Sequence, residues 1–195
     1  MPRGQVAVIL LALLSPACVP EPTASVGEQI VTKHVPVRII SVDTGLCIDV
    51  WGGSAVAGAV LTQTPCHVGN NQKWRVSWVP DPDFIPDAHV GPPGPPPVPP
   101  YVQIKSALPG SMCIGVDASH FLALWSCTDT KTRWELPAFY SDPRTGPTHL
   151  LERLVNRSDG RCADVPGGDD AVGIDLQTYG CNGGTNQKWL FAPFP

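Results

Sequence analysis

At 195 residues the chain can form one domain of ordinary size or two very small ones, and one is the better expectation. Its formal net charge of -4, with 13 Lys and Arg against 17 Asp and Glu and no Lys/Arg-rich run, offers no broad electropositive face for phosphates. That balance excludes nucleic acid as an expected partner.

In chain order, Arg3 precedes the apolar run Val6 to Leu14, too short to span a bilayer as a helix, and the small-residue site Ser15-Pro16-Ala17 follows. Residues 1–17 read as an export signal and 18–34 as a tether, so the mature chain is expected outside the cell, secreted or anchored to the envelope. Cleavage after Ala17 leaves Cys18 at the mature N-terminus, where a bacterial lipoprotein carries its lipid. The match to a lipobox is loose, because Leu14 lies one position too far upstream and Ser15 stands where Leu is usual. Ordinary cleavage here or within Pro22 to Ser25, with Cys18 removed or without chemistry, is the other reading. No other apolar stretch is long enough to cross a membrane.

Pro36 to Ile40, Tyr101 to Ile104 and Leu150 to Val155 are short apolar runs of strand type, and Gly, Asp and Asn clusters interrupt the chain every few residues. No amphipathic helix is evident. Residues 80–100, with GPPGPPPVPP at 91–100, lack ladder donors at their prolines and read as an extended excursion between lobes. Ser141 to Thr148, with Asp142-Pro143 and Gly146-Pro147, reads as a turn-rich connection.

Seven cysteines in an exported chain leave one unlike the rest, and Cys18 is the natural outlier. Six cysteines alone allow 15 connectivities. Cys47/Cys66 and Cys162/Cys181 are both 19 positions apart, with Trp74 and Trp189 each eight residues past the second cysteine. This equal spacing selects pairing within segments, with Cys113/Cys127 as the third pair. Zinc is a poor alternative: no Cys-x2-Cys occurs and the five histidines do not cluster.

Aligned without gaps, residues 45–74 and 160–189 are identical at 14 of 30 positions, both ending in Asn-Gln-Lys-Trp. An eroded third copy lies between them, where Cys113-Ile114-Gly115-Val116 echoes Cys47-Ile48-Asp49-Val50 and Trp134 closes the segment. Each unit is too small to bury a core alone, so an all-β fold of three lobes about a shared axis is expected.

Three copies of Cys-x-Asp-Val … Cys … Gln-x-Trp resemble the ricin B-type (QxW-repeat) lectins. The resemblance implies a β-trefoil over residues 35–195, with lobes near 35–79, 101–136 and 148–192 and three intralobe disulfides. The chain also looks like small secreted single-trefoil lectins of actinobacteria and, more distantly, the lectin-like subunits of cytolethal distending toxins. In that family the Gln-x-Trp tryptophan packs in the core and its glutamine bonds nearby backbone, so Trp74, Trp134 and Trp189 identify the fold without proving sugar binding.

Sugar binding asks for a carboxylate to accept from vicinal hydroxyls, amides that donate and accept together, and a ring against the C–H face. In the third lobe the resemblance assigns these roles to Asp164, Tyr179 and Asn186, with Gln177 and Gln187 binding or orienting, and a galactose-like glycan as ligand. The bland reading has Asp164 capping a turn and Tyr179 as packing. The first lobe keeps Asp49, Asn71 and Gln72 as a secondary candidate site, but Thr64 stands at the Tyr179 position and Thr62 at that of Gln177; Trp51 is a candidate ring from the opposite side. The middle lobe keeps a ring in Trp125 but has Gly115 for the Asp and Thr132 for the Gln. No nucleophile-elbow, zinc-protease or P-loop pattern occurs, and Asp169-Asp170 lies in a Gly-flanked turn, so neither an enzyme nor a cofactor or metal is expected. A trefoil that has lost sugar binding and docks a protein is the alternative.

Overall fold

The computed structural model describes residues 35–79, 101–136 and 150–195. The expected export signal, the tether with Cys18, the proline-rich insertion and the Ser141 to Thr148 connection lie outside the described residues.

Thirteen strands are formed among the described residues. The first lobe holds β1 (Val37–Ser41), β2 (Cys47–Val50), β3 (Leu61–Thr64) and β4 (Trp74–Val79). The second holds β5 (Tyr101–Ser106), β6 (Met112–Val116), β7 (Leu122–Ser126) and β8 (Trp134–Glu135). The third holds β9 (Leu150–Glu152), β10 (Val155–Asn156), β11 (Cys162–Asp164), β12 (Gln177–Tyr179) and β13 (Trp189–Pro193). The run expected as one strand from Leu150 is therefore two, interrupted at Arg153 and Leu154. The only helical pieces among the described residues are three-residue 3-10 turns.

Pairing runs β10-β8-β5-β4-β1-β13-β9. Because β9 and β10 are two parts of one interrupted path, this order closes a barrel. The hairpins β2–β3, β6–β7 and β11–β12 lie off it, joined to one another by single bridges at Val60↔Ala123, Thr62↔Asp175 and Phe121↔Gln177. Barrel plus triangular cap is the β-trefoil, and closure removes the exposed edges of a small all-β domain.

The three copies converge in the core. Trp74, Trp134 and Trp189 are fully buried, and each indole N–H donates to the carbonyl of the residue after its lobe's first cysteine: Ile48 (3.3 Å), Ile114 (2.9 Å) and Ala163 (3.0 Å). Burying three indoles with their polar hydrogens satisfied supplies the apolar area a small domain needs without an orphaned donor. The disulfides are Cys47–Cys66, Cys113–Cys127 and Cys162–Cys181, one per lobe. Two positions before each first cysteine the backbone turns left-handed. Gly45 (φ 70°) and Gly160 (φ 67°) take this without a Cβ clash, whereas the middle lobe places Ser111 there (φ 55°), one more mark of its divergence.

Candidate functional site

In the third lobe β11 and β12 pair with Asp164 opposite Gln177 and Cys162 opposite Tyr179, while the 3-10 turn Thr185–Gln187 brings Asn186 and Gln187 to the same place. Asp164 is only 2 % exposed. Its Oδ1 accepts from the Asn186 amide (2.8 Å) and the Gln187 amide (3.0 Å), and among the described residues its Oδ2 accepts only from the Gln177 amide (3.0 Å). All five residues assigned to this site therefore gather around one carboxylate or, for Tyr179, beside it on β12, where the ring is 56 % exposed.

Gln187 is fully buried and spends its groups internally: the amide also donates to the Gly180 carbonyl (3.0 Å) and its oxygen accepts from the Asn182 N–H (2.8 Å). Orientation, not contact, is the role this geometry allows it. Asn186 donates additionally to the Val165 carbonyl (3.1 Å) and is half-buried. From the first lobe, Asp43 receives the Thr185 hydroxyl at 2.5 Å, and its carboxylate lies beside Gly168, where an added Cβ would come within 2.6 Å of Oδ2.

The first lobe reproduces the frame but fills it differently. Asp49, 3 % exposed, accepts at Oδ1 from Asn71 (2.7 Å) and at Oδ2 from Thr64 (2.8 Å), Gln72 (2.8 Å) and His67 (3.1 Å). A carboxylate offers about four acceptor positions, so Asp49 meets donors to its full capacity and Asp164 does not. His67 was not among the residues singled out from sequence. Its Nδ1 accepts from the Gly69 N–H at 3.0 Å, which assigns the proton to Nε2 and makes it a donor to Asp49. The signal was present in the alignment, where His67 stands one position after Cys66 and matches Asn182. Gln72 repeats the structural role of Gln187, donating to the Pro65 carbonyl (3.0 Å) and accepting from the His67 N–H (2.8 Å). Thr62, at the Gln177 position, has a buried hydroxyl with no partner among the described residues. Trp51 is 60 % exposed, and its ring lies 3.4 Å from where a Cβ on Gly173 of the third lobe would stand.

The middle lobe is closed. A Cβ on Gly115 would meet the Lys131 carbonyl, Thr132 Cγ2 and Trp125 Cδ1, each at 3.0 Å. The Lys131 ammonium, at the Asn186 position, sits 3.3 Å from the Trp125 ring centroid and occupies the face a ligand would use. Thr132 is too short to do the work of the glutamine it replaces. Gln103 from β5 supplies the amide instead, donating to the Cys127 carbonyl and to Thr132 Oγ1 (3.1 Å).

A disulfide-pinned β-trefoil whose lobes each centre on a Gln-x-Trp-type turn, with one lobe keeping an unsaturated carboxylate, defines the class as R-type trefoil. The chain matches the ricin-type beta-trefoil lectin domain-like family over residues 29–84 and 130–195, more than half its length, and belongs to that family. No curated protein matches it. Among solved structures it resembles ThreeFoil, a designed 3-fold symmetric protein (TM-score 0.59, 21 % identity, 80 % of this chain and 97 % of that one). It also resembles the Macrolepiota procera ricin B-like lectin in complex with lactose (0.57, 18 %, 82 % and 96 %). A third likeness is to an exo-beta-1,3-galactanase from Clostridium thermocellum (0.60, 18 %, 84 % of this chain), of which the chain covers 31 %. At these identities the likeness shows the fold.

Proposed function

We propose that the protein is a non-enzymatic carbohydrate-binding protein that recognises a galactose-like glycan through its third lobe. The observation carrying this reading is the difference between the two retained carboxylates. Asp164 holds three donors among the described residues and only one of them at Oδ2, so an acceptor position is left there for a sugar hydroxyl without loss of the Gln177 bond. At Asp49 Oδ2 the same approach displaces one of three donors held in a closed cluster. Tyr179, two positions along β12 from Gln177, carries an exposed ring that offers the C–H stacking face. Family membership and the lactose complex of the Macrolepiota procera lectin support the same ligand class.

A single shallow site of this kind binds a simple sugar at roughly millimolar to high micromolar Kd, about -4 to -5.5 kcal/mol. Useful avidity then comes from clustering. An export signal at 1–17 and a lipid on Cys18 would provide it by tethering many copies outside the cell, in keeping with a small single-trefoil lectin of actinobacterial type; Cys18→Ala then releases the protein into the medium.

The second reading, a trefoil that docks a protein as a toxin or surface-complex subunit, is favoured by the closure of two of the three lobes. A glycan array with the oxidised protein, followed by NMR titration of the glycans it retains, decides between them. Terminal galactose or N-acetylgalactosamine structures shifting Tyr179 and Asn186 resonances support the lectin. A folded protein that retains no glycan supports docking.

A further inference from the structure

The strands β5, β4 and β1 are neighbours in the barrel, and on each of them the residues alternate with buried core positions. Register places Arg75 directly opposite Lys105, and Val37 opposite Trp74, which sets Arg38 against Lys73 one step on. Both of the latter reach Phe194, with the Lys73 ammonium 4.7 Å and the Arg38 guanidinium 5.9 Å from its centroid. Four cations thus share one outward face, across three strands spaced about 4.8 Å apart. Among the described residues none of the four has a carboxylate within ion-pair distance, and the buried Nε–H of Arg38 has no acceptor.

Like charges directly opposite destabilise a sheet, so the pair calls for a reason. The pseudo-threefold supplies an internal control. The positions equivalent to Arg75/Lys105 are Glu135/Val155 at the second junction and Leu190/Ile40 at the third, each pair flanking the same buried tryptophan. A cation just before the tryptophan is common to all lobes (Lys73, Arg133, Lys188), whereas the opposed pair is peculiar to this junction. The fold therefore does not require it.

We infer that the outer face of the sheet between the first and second lobes is a second binding surface, for an acidic polysaccharide whose sulfates or carboxylates lie along Arg38, Lys73, Arg75 and Lys105. Fixed cations on a rigid sheet suit anions repeated along an extended chain. A bilayer is the poorer partner, because the aromatic side chain at the row, Phe194, is covered by two cations instead of protruding.

The test titrates the full chain with a heparin-derived octasaccharide, with neutral dextran as control and with phosphatidylglycerol vesicles as a separate arm, at low and physiological ionic strength. The octasaccharide binds, dextran does not, and added salt weakens the complex. Arg75→Ser/Lys105→Ser weakens it about tenfold to thirtyfold and raises Tm, because the opposed charges are gone. The charge-matched Lys131→Ser/Arg161→Ser pair leaves it within about twofold. Asp164→Ala leaves it unchanged, so failure of the third-lobe reading and failure of this one are separable. No octasaccharide binding, equal loss in both double variants, or binding of vesicles in preference to the octasaccharide overturns the inference.

Discussion

Asp164→Ala and Asp49→Ala delete the same group from two lobes of one fold, and the hydrogen bonds around each predict different losses of binding and stability. Removing the Asp164 carboxylate strands one hydrogen of the buried Gln187 amide, while half-buried Asn186 and Gln177 turn to water. One buried unsatisfied donor costs about 1–3 kcal/mol, and the disulfide-pinned lobe stays folded. For binding, loss of the charged acceptor removes about 1.5–3 kcal/mol, some 10- to 150-fold, which takes a high-micromolar Kd to several millimolar or weaker. Removing Asp49 leaves the buried Gln72 amide two other acceptors, Thr64 Oγ1 and the Pro65 carbonyl, while exposed His67 and half-buried Asn71 and Thr64 turn to water, so it lowers stability less than Asp164→Ala and leaves sugar binding intact. Urea denaturation gives the stability order, and NMR titration with lactose gives binding of each folded variant. Lactose binding retained by Asp164→Ala but lost in Asp49→Ala would place the site in the first lobe and refute the donor-counting argument.

Three further outcomes follow from the same geometry. Trp189→Ala removes a fully buried indole and orphans the Ala163 carbonyl, costing roughly 3 to 5 kcal/mol, and thermal denaturation should find it unfolded or nearly so, with Trp189→Phe milder. Each disulfide closes a loop with a sequence separation of 14 or 19 and contributes about 3 kcal/mol in the chain-entropy model, so paired Cys→Ala replacement in any lobe shifts the urea midpoint by a comparable amount, and a negligible shift counts against that model here. Thr64→Tyr/His67→Asn strips two of the four donors from Asp49 and installs the ring of the third lobe; calorimetric stoichiometry for lactose rises from one to two, and an unchanged value of one shows that donor saturation is not what silences the first lobe.

What was legible in the sequence is what the repeat writes twice. Cys-x-Asp-Val and Asn-Gln-Lys-Trp at matched offsets announce three lobes, their tryptophans and their carboxylates, because these contacts are local to one lobe. The unread features arise from contacts that local motif spacing does not encode. Gln103 stands in for the glutamine that Thr132 replaced, yet it comes from β5, 29 positions away. Arg75 and Lys105 meet only through the β4–β5 register, across the inserted residues 80–100. His67 was visible as a departure from Asn182, but its effect depends on a turn that aims the imidazole back at Asp49.

The asymmetry among lobes follows from a separation built into each one. The tryptophan anchor uses a main-chain carbonyl as its acceptor, and the backbone persists whatever side chain the lobe carries; the bonds at Ile48, Ile114 and Ala163 survive in all three lobes. The carboxylate cluster uses side chains alone, so it can erode without disturbing the anchor. In the middle lobe that erosion has gone furthest, since the Lys131 carbonyl, Thr132 and Trp125 crowd the place of a Cβ at residue 115 and the Lys131 ammonium covers the ring. A carboxylate returns there by one substitution only if its surroundings give way, because contacts of 3.0 Å on three sides ask the Lys131 backbone, Thr132 and the half-buried Trp125 ring to shift. The first lobe is closed only by donors on exchangeable side chains, Thr64 and His67, and is therefore reversible. The third retains both the anchor and a carboxylate with an acceptor position left, which is why we propose recognition there.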